Sequence, residues 1–354
     1  MFSDTRVPEL LDPDALQAWQ AFSLAFWDEP CFGLDQERQR QLFQAGFFRS
    51  RWFLYGMVDE PEPGYLSDFQ AMRLQAANAK YQTVMADRVL CSHVMSNYCK
   101  VPEIHCVVTS EEVQWITSPW WRQGDAGSGE LIIHPTQFGM GSGYQRVLLE
   151  DGSFRGPMGE GRSDELVQTL QARARQESCS YVLTEHVAQG GFAESLAPGH
   201  LNLLNVLLVR EQNQWQPELA ATTLLIGRER EDGSHAMRVE DGALSASVDL
   251  ETGLITSCKG LDESSQALAS FPIHPQLGSS IVGRQLPDWQ KTRQMLIAFF
   301  DESSYLRACN LTFLLTDDGP CFFAVCEGQL ATHQIHRPLL SDPFISSHID
   351  RLGA

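Results

Sequence analysis

Glycine occupies every second position of one short stretch: Gly139, Gly141 and Gly143. Without a Cβ, such residues let successive backbone N–H groups turn towards an anion. Amides alone leave most of a phosphate's charge unanswered, so a loop of this kind calls for a cation close by. The position for it is the end of the preceding apolar run, Leu131 to Ile133, and the residue there is His134. A neutral imidazole is a weak phosphate partner at pH 7, although a bound phosphate would raise its pKa and keep it charged. His134 is thus a candidate phosphate contact, with general-base chemistry as a weaker alternative. The plain structural alternative is a hydrogen-bonded histidine at a strand end before Pro135.

The elements that must hold this loop are strands. Leu131 to Ile133 and Val147 to Leu149 have strand propensity and flank the glycines, which predicts strand, loop, strand. Upstream, residues 13 to 55 have apolar groups at helical spacing, and after the breaker Pro61-Glu-Pro-Gly64 the stretch Tyr65 to Tyr98 reads as further helices, with Ala76, Ala77, Ala79 and Met85 as good formers. Val107 to Ser118 alternates strand and turn. Gly156 to Arg162 is polar and glycine-rich and is expected to be mobile. Ser163 is expected to cap a helix that follows it. From Tyr181 onward short strands dominate: 181–183, 206–209, 220–226, 244–249, 312–315 and 321–326. One helix is expected over Asp288 to Phe300, with Trp289 as a core anchor and the pair Trp120-Trp121 as packing residues. Strands with interspersed helices, lacking strict alternation, indicate an α+β fold.

Composition narrows the function. The 354 residues are 43% hydrophobic and 20% charged, as in globular proteins, and carry a formal net charge of −19. That charge opposes unspecific nucleic-acid binding and docking on anionic membranes. Only four lysines occur, Lys80, Lys100, Lys259 and Lys291, so any lysine chemistry must use one of them. No apolar run approaches the roughly 18 residues of a membrane span. The start, Met1-Phe-Ser-Asp-Thr-Arg6, leads into acids and prolines rather than a signal-peptide core, and a cytoplasmic protein is the default expectation. Nine cysteines without a CxxC pair fit reduced, mostly buried thiols better than zinc.

Several pieces, in order, resemble the sugar-transfer-associated branch of the ATP-grasp superfamily. They are Asp87-Arg-Val-Leu-Cys-Ser-His-Val-Met95, the glycine loop, Val182-Leu-Thr-Glu-His-Val187, Leu201-Asn-Leu-Leu-Asn-Val206, Asp249-Leu-Glu-Thr-Gly253, His274-Pro-Gln-Leu-Gly278, Gly283-Arg-Gln-Leu-Pro-Asp-Trp289 and Asp318-Gly-Pro320. The segment from His274 to Trp289 is the most specific. The likeness implies a two-lobed ATP-grasp-like fold with an N-terminal helical extension: residues 1–75 the extension, 76–180 the smaller lobe, 181–354 the larger. It implies ATP held with Mg2+ and a carboxylate activated as an acyl phosphate for attack by an amine. The substrate would be a cell-surface polysaccharide precursor or a peptide-like metabolite.

By the same resemblance Gly139, Gly141 and Gly143 cover the phosphates. His134 stands at the strand-end lysine, and Arg88 at the lysine of an Asp-Lys pair. Glu185, His186 and Val187 form the hinge that takes adenine through backbone groups. Asn202 opens an Asn-Thr-x-Arg pattern whose arginine falls on Asn205. The metal aspartate falls on Asn310 or Thr312. The metal Glu-x-Asn falls on Ala324–Cys326 or, with a short insertion that keeps the ligand types better, on Glu327 and Gln329. His274 would line the acceptor side. The glycine loop and the 310–329 segment should share one crevice. Phosphoryl transfer depends on positioned cations, and magnesium prefers carboxylate oxygen, so these substitutions fall where the chemistry is least tolerant. Two readings follow: an ATP-dependent carboxylate–amine ligase, or a degenerate scaffold that binds a ligand or a protein partner without a working cofactor site.

Overall fold

The computed structural model describes residues 13–351 except 77, 79–80, 119–120, 122–127, 139–143, 211–216, 230–234, 263–266 and 327–329. Helices come first: α1 (Pro13–Asp28), α2 (Gln36–Ala45), α3 (Arg51–Leu54), α4 (Asp68–Ala76), α5 (Gln82–Ala86) and α6 (Arg88–Met95). Strands β1 (Ile104–Val108), β2 (Val113–Trp115), β3 (Gly129–Pro135), β4 (Gln145–Glu150), β5 (Ser153–Gly156) and β6 (Gly159–Arg162) precede α7 (Leu166–Glu177). Then come β7 (Tyr181–Glu185), α8 (Gly191–Glu194), β8 (Asn202–Val209), β9 (Glu218–Ile226), β10 (Arg228–Glu229), β11 (His235–Ala236), β12 (Leu244–Val248), β13 (Ile255–Leu261) and β14 (Leu268–Ser270). The last are α9 (Trp289–Glu302), β15 (Ala308–Thr316), β16 (Gly319–Val325), α10 (Ala331–Gln334) and α11 (Pro343–Arg351). The fold is α+β with antiparallel sheets, as expected.

The chain divides into two compact units, Met1–Gln82 with Gln189–Gly319 and Glu327–Ala354, and Thr83–Ala188 with Pro320–Cys326. The smaller unit is built on an antiparallel sheet of order β2-β1-β7-β3-β4-β5-β6. Leu131 pairs with Val147 and Ile133 with Gln145, so the two predicted strands form one ladder. Period-two alternation puts Leu131, Ile133, Val147 and Leu183 on one face, where they pack on Leu166, Leu170 and Ala174 of α7.

Two local expectations are corrected here. The stretch 156–162 is not a loose segment but part of the β5–β6 hairpin. Phe154 lies against the backbone of Gly161, where a Cβ would sit 2.7 Å from the ring. That leaves room for a ring only because the residue is glycine. The helix after it begins at Leu166 with Glu165 in the capping position, so Ser163 is not the cap.

In the larger unit the sheet runs β14-β13-β12-β9-β8-β15, antiparallel throughout. Every residue of β8 is buried, as in a strand covered on both faces. On one face Leu207, Val209 and Ala308 pack with Leu66, Ala71 and Leu74 around α4 and with Leu339, Ile345 and Ile349 near the C-terminus. The strands of this unit extend further than their apolar runs suggest: β8 starts at Asn202 and β15 at Ala308, because polar side chains inside them are hydrogen-bonded rather than turned out.

Candidate functional site

In the smaller unit the structure brings His134 and Arg88 together. His134 lies at the penultimate position of β3, its ring in edge contact with Tyr144 and Phe323 at 5.5 Å and 5.7 Å. Neither ring nitrogen has a hydrogen-bond partner among the described residues. Burial, and then the neighbouring Arg88 charge, hold the imidazole well below the usual histidine pKa, so it is neutral at pH 7. Arg88 opens α6 behind the Asp87 cap, whose carboxylate accepts the Leu90 N–H at 2.9 Å. Its guanidinium donates to Pro135 O at 3.3 Å and Phe323 O at 2.6 Å and stacks over Phe138 at 4.3 Å. Desolvation lowers its pKa to about 10. No carboxylate among the described residues pairs with it.

The hinge positions end β7. Glu185 exchanges two bonds with Glu103: its N–H donates to Glu103 O at 2.9 Å, and its carboxylate accepts the Glu103 N–H at 3.1 Å. His186 Nδ1 lies 2.9 Å from Glu130 Oε2, yet burial outweighs that carboxylate and lowers its pKa. Val187 is buried, and its N–H makes no hydrogen bond among the described residues.

In the larger unit Asn202 is fully buried. Its amide donates to Ala193 O, Ala197 O and His200 O at 3.1, 3.1 and 3.0 Å, closing the turn that enters β8. His274 is folded into its own turn, with Nε2 3.2 Å from Gly227 O and Nδ1 accepting the Gln276 N–H at 3.3 Å. Asn310 is buried in β15, with Oδ1 accepting from His333 Nε2 at 3.1 Å. Gly139, Gly141, Gly143, Glu327 and Gln329 lie outside the described residues, as does Trp120. Trp121 is buried beside His105, at 5.2 Å.

One arrangement was not read from the sequence. Ser257, Ser247, Thr223, Asn205 and Thr312 stand directly opposite one another on β13, β12, β9, β8 and β15. Directly paired residues share a face, so they form a polar row across five strands. Thr312 donates to Asn205 at 2.7 Å, while the Asn205 amide nitrogen is buried and unpartnered. Two histidines from the C-terminal segment dock on this face. His333 meets Thr223 at 3.2 Å as well as Asn310, and His336 meets Ser257 at 2.9 Å and Ser245 at 3.2 Å. Burial lowers the pKa of His333 to about 3 and, with the Lys259 charge, that of His336 to about 4. The usable signals were the repeat His333-x-x-His336 and a lysine, Lys259, in a chain with only four.

The donor set does not fit magnesium among the described residues. Asn310 is engaged by a histidine, and no cluster of three or more His, Cys, Asp or Glu side chains is placed to hold a metal. A hard ion needs several free oxygens, and on this face the amide oxygens of Asn205 and Asn310 are already engaged by Thr312 and His333.

No family description and no curated protein matches the chain. Solved structures with a partial likeness include D-alanine–D-alanine ligase from Bacillus anthracis, at 9% identity and TM-score 0.41 over 77% of this chain and 66% of that one. D-alanyl-alanine synthetase A from Vibrio cholerae has 8% identity and TM-score 0.44 over 78% and 67%. The ATP-grasp ligase PsnB, complexed with a precursor variant, Mg and ADP, has 10% identity and TM-score 0.36 over 90% and 70%. The chain spans about two thirds of the length of the alanine ligases it matches.

Proposed function

We propose that this chain is an ATP-grasp-like scaffold in which His134, Arg88 and Asn310, at phosphate- and metal-handling positions, now serve internal structure, so that it binds a ligand or partner without ligating one. The observation that carries the reading is the fate of Asn310. The position that resembles a metal ligand is bound to His333, whose imidazole burial keeps neutral. His134 supports it, since a neutral buried ring supplies no charge to a phosphate. Phosphoryl transfer without a metal and a strand-end cation forfeits most of its electrostatic stabilisation.

A ligase acting on a small carboxylate, such as a polysaccharide precursor or peptide-like metabolite in the cytoplasm, is the second reading. One observation favours it: Arg88 is a buried cation with no acidic partner among the described residues, and an anion beside it would relieve that imbalance. The Val187 N–H, which makes no hydrogen bond among the described residues, is compatible with an adenine hinge.

Calorimetry with ATP, with and without magnesium, separates the two. The scaffold reading expects no magnesium-dependent binding and no ADP release with carboxylate and amine mixtures. Micromolar, magnesium-dependent binding accompanied by ADP release would overturn it. His134→Lys adds a second arm, since nucleotide binding gained by that change alone would mean the rest of the site is intact.

A further inference from the structure

We propose that Ser257 is a nucleophile, with His336 as its general base, at a second site in the larger unit that accepts acyl groups from activated esters. The assignment comes from the direction of the hydrogen bonds. Ser245 donates its hydroxyl proton to Thr332 O at 2.9 Å, so at its bond to His336 Nε2, 3.2 Å away, Ser245 must accept. Nε2 therefore carries the proton in the neutral ring, and Nδ1 presents a lone pair. Ser257 Oγ lies 2.9 Å from that Nδ1 and donates to it. The chain of donors runs from Ser257 to His336 to Ser245 to Thr332, with the polarity that a serine needs for activation.

Accessibility agrees with this. Ser257, His336 and Lys259 are all half-buried, whereas Ser245 behind them is fully enclosed. Lys259 lies two positions beyond Ser257 on the same face of β13. Its ammonium donates to Ile335 O at 2.8 Å and has no carboxylate partner among the described residues. It can face the negative charge that develops on a carbonyl oxygen. Among the described residues the other titratable group whose charge couples to His336 is the neutral His333.

In the step, Ser257 Oγ attacks the ester carbonyl and its proton passes to His336 Nδ1. The tetrahedral oxyanion collapses, the alkoxide or phenoxide leaves with that proton, and acyl-Ser257 remains. Water repeats the sequence, giving a carboxylic acid and free serine. Because a hydroxyl rather than a carboxylate stands behind His336, and Lys259 opposes the imidazolium, acylation and deacylation are both slow, and only strongly activated esters react.

The test is labelling of the full chain with a fluorophosphonate probe, followed by peptide mass mapping. The expected result is a single adduct on Ser257, with labelling slowed roughly a hundredfold or more in His336→Gln. Thr256→Val, a change on the opposite face of the same strand, should label at the wild-type rate. No adduct on Ser257 of the wild-type chain, or equal rates in His336→Gln, overturns the proposal. The wild-type mapping is decisive even if a variant fails to fold.

Discussion

Asn202 sits with no exposed surface and gives its amide protons to three carbonyls of the turn before β8. Its residue type was legible as that of a polar contact, but its direction was not, because strand alternation fixes a face only once the strand limits are known. Replacing it with alanine removes one donor from each of three carbonyls that keep another, the Leu196 N–H on Ala193 O, the His200 N–H on Ala197 O and the Gln189 amide on His200 O, so Asn202→Ala should lower unfolding free energy by about 1–2 kcal/mol. Urea denaturation measures it, and a loss under half a kilocalorie would mean the turn finds water instead. The histidines make a second prediction at this scale. Six of them, His105, His134, His186, His274, His333 and His336, have pKa values lowered by burial. In the unfolded chain each would titrate near 6.5, so the unfolded state binds more protons below that pH. The stability they contribute is complete above about pH 6.5 and is lost as pH falls towards about 4 for His336 and about 3 for His333. Urea midpoints should therefore drop between pH 7 and pH 5, and should drop less in His333→Gln. A flat profile would contradict neutral burial.

At the scale of elements, two of the pieces that carried the family likeness, Asp249–Gly253 and Gly283–Trp289, touch. Asp249 closes a turn by accepting the N–H and hydroxyl of Thr252 at 2.7 and 2.6 Å. The turn delivers Gly253 against Trp289, whose indole N–H donates to Leu250 O at 3.0 Å. Gly253 has φ +75, and a Cβ there would lie 2.4 Å from the Trp289 ring. Gly253→Ala thus meets both left-handed strain and overpacking, and should be destabilising by roughly 2–4 kcal/mol. A thermal melt checks this, and Gly283→Ala is the comparison, because that glycine also has positive φ, +86, but open space around it. The sequence made the Trp289 anchor readable and placed the helix to within two residues, Trp289–Glu302 against 288–300. It concealed the β5–β6 hairpin, since Gly159 and Gly161 look like loop residues until Phe154 is seen packed on one of them. The polar row was equally hidden, because it exists only in the register of five separate strands.

Across the whole molecule the first 82 residues cluster with the larger unit, and the reason is electrostatic as well as apolar. Arg51 of α3 is buried at 4% exposure and bonds Asp68 at 2.9 Å and, in addition, Glu240. The two carboxylates raise its pKa well above the ordinary arginine value despite desolvation. Nearby, Gln334 donates to the Tyr55 hydroxyl at 2.9 Å and to Leu66 O at 2.8 Å, tying the N-terminal helices to the segment that carries His333 and His336. A buried pair gains little over an apolar replacement, but breaking one leaves an uncompensated charge. Arg51→Ala strands two carboxylates at once and should cost about 3–5 kcal/mol of stability, whereas the double change Asp68→Asn with Glu240→Gln in the same background should recover a good part of it. Differential scanning calorimetry of the three proteins tests the coupling. If the single change is silent, the helical region is held by its apolar contacts around Leu66, Ala71 and Leu74 alone. Because Gln334 joins these helices to the segment that carries His336, Arg51→Ala should slow fluorophosphonate labelling as well as lower the melting temperature.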